Sequence, residues 1–365
     1  MPRVIKNEEI RDVIKGATFL GAGGGGSLRD GLRLLEELAS AGRDELKIVD
    51  PGEMDETRWA VMVAGIGAPK ALEEGNFGPE ALAAFSTMQK ISFLSGKNIG
   101  YLMAGELGGF NTMVPLYTAA LMDVPVVDAD GNGRAVPELA TGLYPIYNIP
   151  PVPLVMAGNN GDAMIIILSD PADHHAAENI ARHVSMAYGM SAAFCTWIVD
   201  RKMIEEYLVP KSITTCKNVG KVLREADSSA ELTKRLQTLL DAKELFIGKI
   251  SSIEMKTEGG FDFGVTNIKG ADAYSGRSLS ISVKNENILA RDGSGNVIAT
   301  VPDLICLVNL ENMTPLTNAE TKKGQVVGIY GVSAPIKWLE TPMGFGCWKH
   351  ILEKLEYRGG YVPVK

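Results

Sequence analysis

Apolar residues at Ile10, Val13, Ile14 and Ala17 recur at i, i+3, i+4 and i+7, the spacing of one buried helical face. Leu28, Leu32, Leu35 and Leu38 predict a second helix, ending near Ala41 and Gly42, where glycine suits a C-cap. Between them lies Leu20-Gly21-Ala22-Gly23-Gly24-Gly25-Gly26-Ser27. Apolar runs of strand length follow at 46–49, 60–64, 99–104 and 124–127, with helical patterns at 80–88 and 115–122. Strand and helix in turn predict an α/β layer with a largely parallel sheet. Another strand is expected at 163–168, then a long helix at 173–188 between Pro171 and Gly189. Residues 199–241 read as charged and helical, with a break at 226–229. From about 245 the pattern changes to short β-branched runs at 247–255, 278–283, 296–299, 304–308 and 325–330, with a hairpin turn at 292–296. The expected organisation is an N-terminal α/β domain over 1–170, a helical continuation over 171–244 and a C-terminal β-rich domain over 245–365. No internal repeat has a fixed period.

Composition is that of a folded protein. Of 365 residues, 45% are hydrophobic and 22% charged, enough for a sizeable core and two domains. The net charge of −8 comes without any dense Lys/Arg run, which argues against nucleic acid and anionic membranes as partners. The most apolar run, 163–168, is far short of the ~20 residues that cross a bilayer. The start, Met1 to Lys6 followed by Asn7, Glu8 and Glu9, lacks the apolar core of a signal peptide. Cys195, Cys216, Cys306 and Cys347 are widely spaced, with no Cys-x-x-Cys. They read as reduced thiols in a cytoplasmic protein.

Three segments carry candidate chemistry. The glycine run contains Gly21-x-Gly23-x-x-Gly26, and Asp50 stands where a ribose-binding acid would follow. A dinucleotide fingerprint needs a strand before its first glycine, and here a helix precedes it. Consecutive glycines still expose backbone N–H groups ahead of a helix N-terminus, so Gly23, Gly24, Gly25 and Gly26 are candidates to hold an anion or a developing charge. The plain alternative is a tight helix–helix turn. Glu106 and Asn111 lie in a glycine-rich loop after the 99–104 strand, at the strand end where α/β sheets collect ligands. The plain alternative there is a helix-capping loop. Asp128, Asp130, Arg134 and Glu138 crowd the loop after the 124–127 strand. Neighbouring carboxylates raise each other's proton affinity, which suits a general acid or base, and Arg134 could offset the charge or clamp a planar substrate. A turn closed by a surface ion pair is the alternative. The segment also resembles the start of a calcium loop, but the twelfth position is Leu139 where a glutamate should close it.

His174 and Glu178 are four apart and could face one metal, but no His-Glu-x-x-His is present. Glu178 and Arg182 predict an ordinary i, i+4 ion pair on a solvated face, and His350 reads as a surface residue. Cys195 is a candidate nucleophile set against inert packing. No cofactor is predicted, and a divalent metal stays open without a ligand set.

The order of these blocks resembles the S-methyl thiohydantoin desulfurase-like family, associated with hydantoinase and oxoprolinase genes. The blocks are the glycine run from Leu20 to Gly26, Gly105 to Gly109 with Asn111, and Asp128 to Glu138. In the second half, Gly260-Phe261-Asp262-Phe263-Gly264, Asn285-Glu286-Asn287 and Val301 to Ile305 also fit. Ser27 stands where an acidic residue is expected, and Asn132 and Val136 replace a Met and a Phe. The resemblance implies a hydrolase in which water replaces the thiol on a small ring. Asp128 or Asp130 would activate water, Glu106 would protonate a ring nitrogen or the sulfur, Arg134 and Asn111 would orient the ring, and Cys195 would offer a covalent variant. The other classes are a nucleotide-dependent oxidoreductase and a non-catalytic partner of a hydantoinase or oxoprolinase. A homo-oligomer is the base-rate expectation.

Overall fold

The computed structural model describes residues 2–67 and 77–364. Its first sheet is built from β1 (Arg3–Lys6), β2 (Glu45–Val49), β3 (Arg58–Gly67), β4 (Asn98–Ala104), β5 (Val126–Asp130), β6 (Leu154–Gly158), β7 (Ala163–Ile166), β8 (Ser191–Val199) and β9 (Val209–Pro210). The order is β1-β2-β5-β4-β3-β8-β6-β7, with β9 on β5. β2, β5, β4 and β3 run parallel as the alternation of strand and helix predicts, and antiparallel strands extend both edges. Alternation of side chains puts Val61 and Val63 into the core on one face and Ala60, Met62 and Ala64 into the core on the other. A sheet covered on both faces needs helices on both, which is the layered arrangement seen here.

The helices Asn7–Leu20, Leu28–Ser40, Pro79–Leu94, Gly109–Met122 and His174–Ala187 form where periodicity places them. Within 171–244, where the sequence predicts a helical connection, Ser191–Val199 forms β8 and enters the first sheet between β3 and β6. Nearly every residue of β8 is buried, so it shows no alternation to read.

The second sheet comprises β10 (Lys243–Glu258), β11 (Phe261–Gly270), β12 (Ser278–Lys284), β13 (Glu286–Asp292), β14 (Val297–Thr300), β15 (Leu304–Asn309), β16 (Thr314–Leu316) and β17 (Val326–Val332). Its order is β14-β13-β12-β11-β10-β17-β15-β16, and every pairing is antiparallel. The turn predicted at 292–296 joins β13 to β14, with the Asp292 carboxylate accepting from the Ser294 and Asn296 N–H groups. Leu304, Cys306, Val308 and Tyr330 turn from this sheet into the core under the helix Asn7–Leu20. Ile305, Leu307 and Ile329 face the sheet's own core. Phe19 meets Tyr330 with ring centroids 6.2 Å apart. The second sheet is thereby held against the end of the helix that carries the glycine run. Among the described residues, no helix is long and apolar enough to cross a membrane.

Candidate functional site

The helix Asn7–Leu20 stops at a bend in which Ala22, Gly23, Gly25 and Gly26 all have positive φ. Glycine is required there by crowding as well as by conformation. A Cβ on Gly23 would lie 2.5 Å from Asn318 Nδ2, and one on Gly24 would lie 2.1 Å from Glu286 Oε1. The bend is therefore pressed between the two sheets. Its carbonyls accept from three backbone N–H groups: Asn111 to Gly25 (3.0 Å), Asn287 to Ala22 (2.8 Å) and Asn318 to Gly23 (2.8 Å). The next helix is capped by Ser27, whose hydroxyl accepts from the Asp30 N–H at 3.1 Å.

β4 and β5 are neighbours, so the loops that leave them lie side by side. Gly131 N donates to Ala104 O (3.2 Å), Leu107 N to Arg134 O (3.2 Å) and Asn132 Nδ2 to Gly105 O (2.9 Å). Glu106 is enclosed by this seam: Oε1 accepts from Asn111 Nδ2 at 2.7 Å and Oε2 from Val136 N at 2.8 Å. The residue keeps a partly exposed surface while its carboxyl is surrounded by loop backbone. That burial pushes its pKa up to about 7 against the pull of the Val136 and Asn111 bonds, with Glu178 adding to the rise. A carboxyl poised there can both take and give a proton near neutrality.

The other acids of the β5 loop have different surroundings. Asp128 is fully buried and bound by the Arg3 guanidinium, the Thr214 N–H (3.0 Å) and the Thr214 hydroxyl (2.6 Å). It anchors the N-terminus of the helix Ser212–Glu225, so its oxygens are engaged away from a substrate. Asp130 Oδ2 accepts from the Asn132 (2.8 Å) and Gly133 (2.7 Å) N–H groups and holds the turn that in turn holds Gly105. Burial pushes its carboxyl up to about 7 despite those bonds. Arg134 is fully buried, with Nε on Ala135 O (2.9 Å), Nη1 on Pro302 O (2.8 Å) and Asp303 O (3.0 Å), and its guanidinium 4.8 Å from the Trp348 ring centroid. Burial lowers its pKa to about 10, which leaves it charged at neutral pH.

Glu138 makes the ion pair that a surface turn would, but to a buried partner: Oε1 is 2.6 Å from Lys284 Nζ and 2.6 Å from His350 Nε2. Burial alone would raise this carboxyl; the His350 and Lys284 bonds outweigh it and take it down to about 2. A folded pKa below the unfolded value means stability that is complete above about 4.5 and is lost as pH falls toward 2. Chemical denaturation between pH 6 and 3 is expected to show a loss to which Glu138 contributes roughly 2 kcal/mol. Glu138→Gln is expected to flatten that slope, and an unchanged slope would refute the assignment.

Several expectations are corrected. Cys195 lies in β8, paired with Val63 and Val155 and fully buried in the apolar core, where burial pushes its thiol well above the normal range. A protonated, enclosed thiol packs rather than attacks. The helix face bearing His174 and Glu178 is not solvated: both are buried. The His174 ring nitrogens engage Ala172 O and Ile149 O, and Glu178 accepts from Leu139 N at 2.8 Å beside its ion pair with Arg182. Among the described residues, no group of three or more His, Cys, Asp or Glu could hold a metal ion. Asp50 is paired with Arg3 and Lys211, and the glycine run follows a helix, so the nucleotide reading finds no support in this geometry.

The sequence reading missed the second sheet's share. Glu286, at the start of β13, and Asn287 and Asn318 close over the glycine bend, and Glu286 and Asn287 are almost completely buried. Burial, with Glu106 nearby, holds the Glu286 carboxyl well above its usual range. The only sequence signal was the Asn285-Glu286-Asn287 block itself.

Comparison with known proteins agrees with this two-sheet architecture. A protein from Chromobacterium violaceum, known from an X-ray crystal structure, superposes with a TM-score of 0.85 over 100% of both chains at 23% identity. That likeness is one of fold. A search of curated proteins returned no match. The S-Me-THD-like N-terminal domain matches residues 8–167, and the S-Me-THD-like C-terminal domain matches residues 172–348. With both domains matched in order along nearly its whole length, this chain belongs to the S-Me-THD-like family.

Proposed function

We propose that the protein is a desulfurase of small S-methyl thiohydantoin-like rings, replacing the methylthio group with oxygen to give the hydantoin. The observation that carries this reading is Glu106, a carboxyl with a pKa of about 7 at the junction of the glycine bend and the two strand-end loops. Glu106 takes a proton from water as the water oxygen bonds to the ring carbon between the two nitrogens. The carbon–sulfur bond then breaks, and Glu106 returns the proton to the sulfur, which leaves as methanethiol. Charge that develops on the ring during attack is offset by Arg134, held in a fixed orientation by backbone carbonyls and Trp348. Asp130 acts as a positioning residue through the Asn132 and Gly133 turn, and Asp128 through the Ser212–Glu225 helix.

The test is thiol release over a panel of S-methyl thiohydantoins, with and without chelator. Release above the uncatalysed rate is expected, and its absence across the panel would overturn the reading. Cys195→Ala separates water from cysteine as nucleophile. Turnover within about threefold of the parent is expected, because a buried, protonated thiol contributes packing only. Loss of turnover in a variant with unchanged circular dichroism would restore the covalent route.

A further inference from the structure

Four side chains around the glycine bend each leave one buried polar atom without a hydrogen-bond partner: Asn111 Oδ1, Arg134 Nη2, Glu286 Oε2 and Asn287 Oδ1. They come from three segments that meet at the bend. Asn111 N is bound to Gly25 O, Asn287 N to Ala22 O, and Glu286 Oε1 faces Gly24. Arg134 belongs to the loop sewn to Glu106 through Leu107.

Arg134 and Glu286 are the most informative pair. Both are buried, and Glu286 is the strongest carboxylate influence on the guanidinium. Yet no ion pair or hydrogen bond joins them. A buried donor or acceptor left unpaired costs roughly 1–3 kcal/mol, so a local group of four calls for an explanation in binding. Arg134 is also preorganised by three carbonyls, which keeps its remaining N–H groups aimed rather than free.

We propose that Arg134, Asn111, Glu286 and Asn287 together recognise the amide edge of a small, neutral, planar cyclic ureide. Arg134 supplies the donor for a ring carbonyl. The amide oxygens of Asn111 and Asn287 accept from ring N–H groups. Glu286, whose carboxyl burial holds well above its usual range, can accept from the same edge and, when protonated, donate to it. Gly23 and Gly24 let Asn287, Asn318 and Glu286 pack directly on the bend backbone, which fixes where these side chains stand; a Cβ at either glycine would push them away. An anionic ligand would meet the Glu106 carboxylate above about pH 7, which favours a neutral ring. The assignment rests on the desulfurase reading for the identity of the ring but needs no carbon–sulfur cleavage. It also places specificity in β13 of the second sheet.

The test is isothermal titration calorimetry of the full chain with hydantoin, which has the amide edge and no sulfur, and with 1,3-dimethylhydantoin, which lacks both N–H groups. Saturable hydantoin binding is expected, at least tenfold tighter than the dimethyl ring. Glu286→Leu should weaken hydantoin binding at least tenfold. Glu286→Gln, the hydrogen-bonding equal of a neutral acid, should stay within threefold. Asn111→Ala, at a partly exposed position, provides a variant that does not disturb the core and should weaken binding at least fivefold. The proposal is overturned by no hydantoin binding, by equal binding of the dimethyl ring, or by parental affinity in both Glu286→Leu and Asn111→Ala. Thiol release without edge-dependent binding would sink this inference and keep the desulfurase reading. Edge-dependent binding without thiol release would do the reverse.

Discussion

Glu106→Gln is expected to lower thiol release on the order of 100-fold or more, the usual range for loss of a positioned proton-transfer group. Gln keeps the length of the side chain: its oxygen can accept from the Val136 N–H and its NH2 can donate to Asn111 Oδ1 once that amide turns over, so the loops should stay closed. What it removes is the exchangeable proton. In the parent, the attacking step needs the carboxylate, so kcat/KM should rise with pH through about 7 and level off above it. The variant should lose that inflection along with the rate. Stability should move the other way. A carboxyl whose folded pKa is raised from about 4.5 to about 7 favours the folded state below the unfolded pKa, and that contribution disappears as pH climbs through 7. At pH 8 the parent therefore carries the cost of an enclosed charge. Glu106→Gln should be more stable there, on the order of 1 kcal/mol after allowance for the residue's partial exposure. Loss of turnover with a gain in denaturation midpoint at pH 8 cannot come from misfolding. Parental turnover in this variant would remove Glu106 from the mechanism.

Much of this site was legible from sequence because α/β sheets place ligands at strand ends. Glu106 and Arg134 follow adjacent parallel strands, and the structure brings their loops together with the glycine bend. Residue type alone did not assign roles. Asp128 and Asp130 look equivalent in the sequence, and only the placement of Arg3 and Thr214, far along the chain, shows that Asp128 is an anchor. Glu286 illustrates a different limit. It begins an antiparallel strand, and nothing within its own segment tells that Gly24 lies against it. β8 escaped notice because burial on both faces erases the period of two. In each case the missing information is a long-range contact, which local periodicity does not encode.

The largest effect on stability is expected where the helices Asn7–Leu20 and Ser212–Glu225 cross. Gly16 and Gly220 let the two backbones touch: a Cβ on Gly16 would lie 1.8 Å from Cys216 O, and one on Gly220 would lie 1.8 Å from Asp12 O. Both neighbours are backbone, so no side chain can rotate away. Alanine should favour either helix by about 1 kcal/mol on propensity. The clash decides the sign, because the helices must separate and open the packing of Ile10, Val13, Ile213 and Val219. Polar clamps beside the crossing resist that movement. Arg224 binds Asp12 through two bonds of 2.9 Å, and Lys217 meets Glu9 at 2.9 Å. Each of Gly16→Ala and Gly220→Ala is expected to cost on the order of 3 kcal/mol in chemical denaturation. Gly52→Ala, where a Cβ meets nothing closer than 3.7 Å, should stay within about 0.5 kcal/mol. The crossing also sets the site. One helix ends in the glycine bend and the other carries Thr214, which holds Asp128 at the head of the Arg134 loop. Separating them should therefore lower thiol release under conditions where the variants remain folded. Gly16→Ala or Gly220→Ala proteins as stable as the parent would show that these helices do not depend on backbone contact.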